Sequence, residues 1–428
     1  MNQLLRGRLR WLLIFWVFVM SSISYLDRVN ISIAGQEIQK TYQLNNIQLG
    51  WVFSSFVLAY ALFQAPGGRL ADRFGPRRVI TLGVFWWSLF TALTALVPAS
   101  WAFALLLLVT VRFLLGAGEA VVYPASNRLV ANWIPTQERG IANGLVFAGV
   151  GAGAGVTPPL ITHIMVNYGW QWAFYVCALI GVVAGVVWHL IARDTPEQHP
   201  WITDEERRHI EAGLTATVAE LERRITVPWS RILGNRHILS ITLSYFAYGY
   251  VAWIFFTWFF IYLSKVRGLD LKSSAFYSML PFIAMATCSP LGGWISDSLT
   301  RRFGKRIGRC GVGVFGMALS GIFIAAATQV ESPQLASVVL AGGVGALYLS
   351  QSIFWAVTAD IAGASAGSAS GLMNMGGQVG GAVTSVLTPW IAEQLGWNFS
   401  FLVAAGLAVL ASLLWLQVNP HERLQRGT

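Results

Sequence analysis

Two carboxylates and two guanidiniums stand in stretches that are otherwise apolar. Asp27 and Arg28 interrupt WLLIFWVFVMSSISYLDRVNISIAG, residues 11–35, and Arg112 and Glu119 interrupt the run after Trp101. A charge at hydrocarbon depth costs about 3 kcal/mol or more, so such groups persist where they are used. A carboxyl in low dielectric disfavours its charged form, which suits Asp27 and Glu119 to taking up and releasing protons. Arginine stays protonated, and its planar fork matches a carboxylate through two parallel hydrogen bonds. Arg28 is the expected clamp for an organic anion, with Arg112 a balancing charge for the carboxylates. The competing reading is a pair of permanent ion pairs that only lock helices together.

Spacing decides who pairs with whom. Arg112 and Glu119 are seven residues apart, so they share a helix face but stand about 10 Å apart along its axis. Each needs partners on other helices, and Asp27 and Arg28 are the candidates. With both acids ionised the four charges sum to zero, so one bound monoanion leaves the site at −1. Carrying that charge against 100 mV, inside negative, costs about 2.3 kcal/mol. One proton makes the cargo neutral, and two let the potential drive it inward. The expectation is inward symport of a small carboxylate with at least one proton. A sodium-coupled variant would need a cluster of oxygen ligands, and none is evident.

The elements that must position these groups are membrane spans. Of 428 residues 55% are hydrophobic, only 11% are charged and 19 are Trp, far from a soluble domain with about 25% charged residues. Apolar segments of about 20 residues occur at 11–34, 48–68, 79–98, 102–124, 140–165, 170–192, 238–264, 274–296, 308–328, 334–359, 367–391 and 398–418. The first resembles a signal peptide's start but is too long and lacks a small-residue cleavage site, so it is read as an uncleaved span. With the N-terminus inside, Lys40, Lys265, Arg267 and Lys272 lie outside, Arg28 and Arg112 lie within spans, and the other 23 of 29 basic residues are cytoplasmic. That excess fixes the orientation, with both termini in the cytoplasm.

The chain also repeats itself. GGRLADRFGPRR at 67–78 returns as GGWISDSLTRRFGKR at 292–306, and GLVFAGVGAGAG at 144 returns as GLMNMGGQVGGA at 371. The GW at 169 returns as GW at 396, an offset of 227. The expected fold is all-α and integral to the membrane: twelve transmembrane helices in two pseudo-symmetric six-helix bundles, 1–192 and 237–428, with a cytoplasmic linker at 193–236. Parallel halves of this kind place a substrate site near the bilayer midplane. In the linker, TDEERRHIEAGLTATVAELERR reads as a solvated or membrane-surface helix.

These residues carry a resemblance. GRLADRFGPRR resembles the signature cytoplasmic loop of the major facilitator superfamily. YLDRVNISIA, FxxxYALFQAPGGRLADRFG and RFLLGAGEAxxYPASNRLVANWIPxxERG, with RDTPEQHPWI after the sixth span, resemble its anion:cation symporter family, which includes hexuronate, galactonate and glucarate permeases and the sialin and vesicular glutamate transporters. The resemblance covers nearly the whole chain and implies proton coupling at Asp27 and Glu119. It also matches Tyr25, Tyr60, Trp355 and Asn374 to the family's binding site. Gln64, one helical turn from Tyr60, Ser352 beside Trp355, and Gln378, one turn from Asn374, are added as polar groups at mid-span. Asp72, Arg73 and Arg77, beside Arg78, are implied to latch the halves, with Asp297, Arg301 and Arg302 the weaker counterpart. One position departs from the sugar-acid pattern: Val150 stands where some members have a substrate-contacting Gln, which weakens the case for a sugar acid and leaves room for a less polar substrate; an aromatic-acid or dicarboxylate symporter is the alternative.

Other classes fit less well. Cys177, Cys288 and Cys310 have no CxxC or Cys/His spacing, so no disulfide framework, metal or cofactor is called for. The net charge of +10 comes without a basic recognition helix or RNA motif, so nucleic acid is not a partner. An enzyme would need a nucleophile and base at useful spacing, which the six histidines do not supply. A drug/proton antiporter would share the fold but favour an acidic pocket without paired arginines; a transporter-like sensor would share everything but the flux. The expected particle is a monomer in the inner membrane, whose partners are a small carboxylate, protons and the lipid bilayer.

Overall fold

The computed structural model describes residues 8–135, 139–215, 229–362 and 366–422, and its regular elements are all helical. The first half runs through α1 (Leu9–Tyr42), α2 (Asn46–Phe74), α3 (Pro76–Leu96), α4 (Ala104–Glu119), α5 (Val122–Trp133), α6 (Arg139–Tyr168) and α7 (Trp170–Ile191). Then come α8 (Asp204–Thr215) and α9 (Trp229–Gly234). The second half runs through α10 (Arg236–Thr257), α11 (Leu271–Phe303), α12 (Val312–Ala327), α13 (Pro333–Leu349), α14 (Gln351–Ala362), α15 (Ala366–Leu395) and α16 (Trp397–Leu416).

Among the described residues, eleven helical stretches are long and apolar enough to cross a bilayer, with α4 and α5 forming one and α13 and α14 another. The twelfth crossing is α15. Its 30 residues are ample at 1.5 Å each, but glycines together with Asn374 and Gln378 dilute its apolar character. The fourth crossing of each half is broken, at Ala120–Val121 and at Ser350. Interrupted helices are tolerated at membrane depth only where protein or a cavity receives the freed backbone groups.

The sequence repeat is also a packing repeat. Gly169 and Gly396 both have positive φ, 91° and 90°, a conformation glycine adopts without steric cost, and each turns the chain into its half's last helix. Gly153 of α6 and Gly380 of α15 share the same offset of 227. A Cβ at Gly153 would strike the Ser22 carbonyl of α1, and one at Gly380 the Phe246 carbonyl of α10. In each half the fifth helix therefore presses directly on the backbone of the first.

The contacts define two compact units. One comprises Met1–Asn30, Leu58–Ala154 and Ile164–Arg224; the other Ile31–Val57, Gly155–His163 and Ile225–Thr428. In the first unit α3 lies along α7, α4 and α5. Helix α8 begins with a Thr203 hydroxyl accepting the Glu206 N–H, the first part of a capping box in Thr-Asp-Glu-Glu. It is not the wholly solvated helix its charges suggest: Glu206 and Ile210 are buried. Glu206 accepts the backbone N–H groups of Leu9 and Arg10, each at 3.1 Å, and pairs with the Arg10 guanidinium at 3.2 Å. It thereby caps the start of α1, where free N–H groups and the helix dipole favour a carboxylate.

In the second unit α10 lies along α15 and α16, and α11 along α13. The far ends of α1 and α2 belong to this unit. Gln36 donates to the Ser264 hydroxyl, Lys265 donates to Gln39 Oε1 at 2.7 Å, and Phe53 meets the Trp258 ring edge-on.

Candidate functional site

Arg28 and Glu119 meet deep in the first unit. The Arg28 Nε–H donates to Glu119 Oε1 at 2.5 Å, and both side chains are 1% exposed. Glu119 is the last residue of α4, so the break in the fourth crossing sets its carboxylate at a helix terminus. The Arg28 guanidinium also lies over the rings of Tyr25, at 4.4 Å, and Tyr60, at 4.2 Å. Their π faces attract its charge and favour ligands that approach in the guanidinium plane. Gln64, one turn further along α2, reaches the Tyr60 hydroxyl. Tyr123 is bonded to the Ser21 hydroxyl at 2.7 Å and stacked on Phe147 at 5.4 Å.

Asp27 faces elsewhere. Consecutive helical residues differ by about 100°, and Asp27 points among α1, α3, α4 and α7. Thr91 and Trp87 of α3 are the donors facing it, and Glu119 and Arg112 are the charges acting on it. Neither carboxylate oxygen completes a hydrogen bond of good geometry. Arg112, wholly buried on α4, takes Asp27 as its principal counter-charge, ahead of Glu119. Nearby, Asn30 on the Asp27 side of α1 donates to the Cys177 sulfur of α7 at 3.5 Å. The four embedded charges are thus an Arg28–Glu119 contact pair, with Asp27 and Arg112 acting electrostatically on each other and each coupled to Glu119.

Ser352, Trp355, Asn374 and Gln378 all belong to the second unit and are half-buried. Ser352 and Trp355 follow the break at Ser350 on α14; Asn374 and Gln378 share a face of α15. Ser352 Oγ and Gln378 Oε1 have no hydrogen bond among the described residues. Beside them Gln351 donates to the Tyr245 hydroxyl at 3.2 Å, and Tyr245 stacks on Tyr248 with rings parallel and 5.0 Å apart.

The loop residues take particular partners. The side chain of Asp72 lies outside the described residues. Arg73 is exposed, over the Phe74 ring. Arg77 donates through Nε and Nη2 to the His189 carbonyl at the end of α7, at 3.0 and 2.7 Å, where a cation favours the helix dipole. Asp194 accepts the Arg77 backbone N–H at 2.8 Å and caps α3. In the second unit Asp297 pairs with Arg309 at 2.8 Å rather than with Arg301 or Arg302, and Arg302 lies over Phe303. Lys305 pairs with Asp360 at 2.7 Å. The sequence reading missed Tyr123, Ser21, Trp87, Thr91, Asp194, Glu206 and Arg309. Tyr123 had a signal, one helical turn beyond Glu119 in the stretch EAVVYPASN.

Balanced charges buried among membrane-crossing helices suit a transporter, and the family and relatives that this chain matches are transporters, not enzymes. A family model described as Major Facilitator Superfamily matches residues 17–385 and 301–427. The chain belongs to that superfamily and, within it, to the anion symporters. It is 33% identical over 417 residues to a probable sulfoacetate transporter of Cupriavidus necator, covering 97% of this chain and 95% of the relative. It is 32% identical over 424 residues to a probable galactarate/D-glucarate transporter of Escherichia coli, covering 96% and 93%, and 32% identical over 421 residues to a hexuronate transporter of Bacillus subtilis, covering 97% and 96%. Among solved structures, a D-xylose–proton symporter superposes with a TM-score of 0.75 at 16% identity, covering 96% of this chain and 99% of that one. A bacterial homologue of the human lysosomal transporter Spinster, inward-facing and unoccupied, superposes at 0.72 with 19% identity, covering 96% and 98%. The chain transports organic anions.

Proposed function

We propose that the protein imports a small organic anion with protons, by alternating access, across the inner membrane, with both termini in the cytoplasm. The observation that carries this reading is the Arg28–Glu119 pair. An ionised Glu119 occupies Arg28. A proton on Glu119 weakens that pair and frees the guanidinium fork for the substrate's carboxylate; loss of the proton restores the pair and expels the anion. Tyr25, Tyr60 and Gln64 position Arg28 and the substrate, and Arg112 balances Asp27, the second proton carrier. Ser352, Trp355, Asn374 and Gln378 offer polar and aromatic contacts from the second half. Asp72, Arg73, Arg77, Asp297 and Arg302 serve the conformational latch, and the two halves, 1–192 and 237–428, are joined by 193–236. The particle functions as a monomer.

The substrate class is a sugar acid, such as a hexuronate or aldonate, or another carboxylate. Val150, where an amide is absent, favours a smaller or less hydroxylated acid within that range, and the similarity to a probable sulfoacetate transporter supports the same direction. Purified protein in proteoliposomes tests the reading: thermal-shift screening against sugar acids, aromatic acids, small dicarboxylates and sulfonates, then uptake under an imposed pH gradient. The expected outcome is accumulation driven by an acidic exterior. Uptake indifferent to the gradient would sink proton symport.

A further inference from the structure

We propose that a cavity of about 320 Å³ at the Arg236 end of the second unit holds the phosphate headgroup of an anionic phospholipid. The cavity lies where three elements end together: the first turn of α10, the π-helical turn Arg306–Gly311 before α12, and the residues after α16. Arg236, Arg306, Ser240 and Asn419 line it, together with His237 and Glu422.

The charges in it do not cancel. Glu422 accepts from His237 Nε2 at 2.7 Å and lies 3.4 Å from Arg236; the His237 bond holds its carboxyl below the usual range. Arg306 has no ion pair among the described residues and stands exposed. Two arginines against one carboxylate leave an excess positive charge, with the Ser240 hydroxyl and the Asn419 amide as further donors. Such an arginine pair can hold a phosphate through short, charge-assisted and often bidentate hydrogen bonds.

The surroundings select a lipid over a soluble anion. Leu239 and Leu243, one and two turns along α10 from Arg236, are 39% and 58% exposed. Ile307 and Phe315, beyond Arg306, are 57% and 58% exposed. A basic pocket at a helix end, continued by apolar side chains along membrane-crossing helices, matches a molecule with a phosphate above and acyl chains below.

Native mass spectrometry and thermal unfolding of the delipidated full-length protein test this with phosphatidylglycerol, phosphatidylcholine and inorganic phosphate as probes. Phosphatidylglycerol is expected to be retained and to raise the melting temperature, and phosphatidylcholine to do neither. Arg306→Gln should weaken phosphatidylglycerol binding about tenfold while leaving substrate binding unchanged. Arg236→Gln should give the same loss from the other wall, so a folding defect in one variant does not decide the matter. Equal retention of the two lipids, or full retention by both variants, overturns the proposal. Inorganic phosphate displacing phosphatidylglycerol at equal concentration would mark a soluble-anion site instead.

Discussion

Arg28 and Glu119, 91 residues apart, share a direct ion pair, while Arg28's chain neighbour Asp27 turns to a different set of helices. One helix thus carries two groups that face different helices within a single coupled set of charges, because Glu119 also acts on Asp27. Arg28 looks toward Tyr60 and the break in the fourth crossing, and Asp27 toward α3, Arg112 and α7. Removing one partner of a buried pair leaves an uncompensated charge, and that cost is far larger than the net worth of the pair. The two carboxylates should therefore answer differently to neutralisation.

Glu119→Gln is expected to abolish accumulation driven by a pH gradient while sparing counterflow exchange of labelled substrate. The amide keeps the shape of the protonated acid and still accepts a bond from Arg28, so the anion can bind, but no proton travels with it. Uptake and counterflow in the same proteoliposomes check this, and full accumulation by the variant would remove Glu119 from the coupling.

Arg28→Lys keeps the charge and loses the planar fork. Charged hydrogen bonds contribute about 1.5–3 kcal/mol each, so substrate affinity should fall at least tenfold, measured by calorimetry or thermal shift. Lysine also sits less well over the Tyr25 and Tyr60 rings. Unchanged affinity would put the anion clamp elsewhere.

How much of this was legible in the chain depends on what each signal reports. The twelve crossings follow from apolar segments of spanning length, α15 included, although glycine and amides there serve packing and polarity at the expense of apolar character. The repeat was legible because Gly153 and Gly380 each sit against a neighbouring backbone, a constraint that only glycine meets and that sequence therefore preserves. The pairing of Arg28 with Glu119 could be narrowed by the length of a helical turn, since Arg112 is too far along its own helix from Glu119. The partners of Asp27 could not, because Trp87 and Thr91 look like ordinary apolar-helix residues until α3 is packed against α1. Glu206 was hidden for the opposite reason: it lies in a run of charges whose solvated look conceals one buried face.

Asp27→Asn separates a carrier from a lock. If both carboxylates carry protons, two protons accompany a monoanion and the membrane potential drives uptake, at about 2.3 kcal/mol per charge per 100 mV. The variant should then carry one proton per monoanion, and its transport should continue but lose its dependence on an imposed potassium-diffusion potential. A variant that keeps the full potential dependence would make Asp27 a fixed counter-charge for Arg112.

Glu206 ties α8 to the start of the helix that carries Asp27 and Arg28. Glu206→Ala strips the acceptor from the Leu9 and Arg10 N–H groups, so stability should fall by about 2 kcal/mol, the cost of a buried donor left unsatisfied. Glu206→Gln keeps one acceptor oxygen and should fall less. Melting temperatures of the two variants against the parent give the order, and equal melting of all three would make the contact incidental.

The segment between α7 and α8 should carry a pH dependence of its own. His199 is buried beside Trp133 and Trp201; its Nε2–H donates to the Ile191 carbonyl at 2.8 Å, and its Nδ1 accepts the Trp201 N–H at 3.2 Å. Burial, with the nearby Arg193 charge, holds its pKa below the usual 6.5, and a second ring proton would displace the Trp201 N–H. The unfolded chain therefore binds more protons than the folded one once the pH falls below about 6.5. The stability His199 contributes is complete above that value and is lost progressively below it. Thermal unfolding between pH 8 and pH 5 should show a decline through this window that His199→Gln reduces; an identical decline in the variant would assign the titration to other groups.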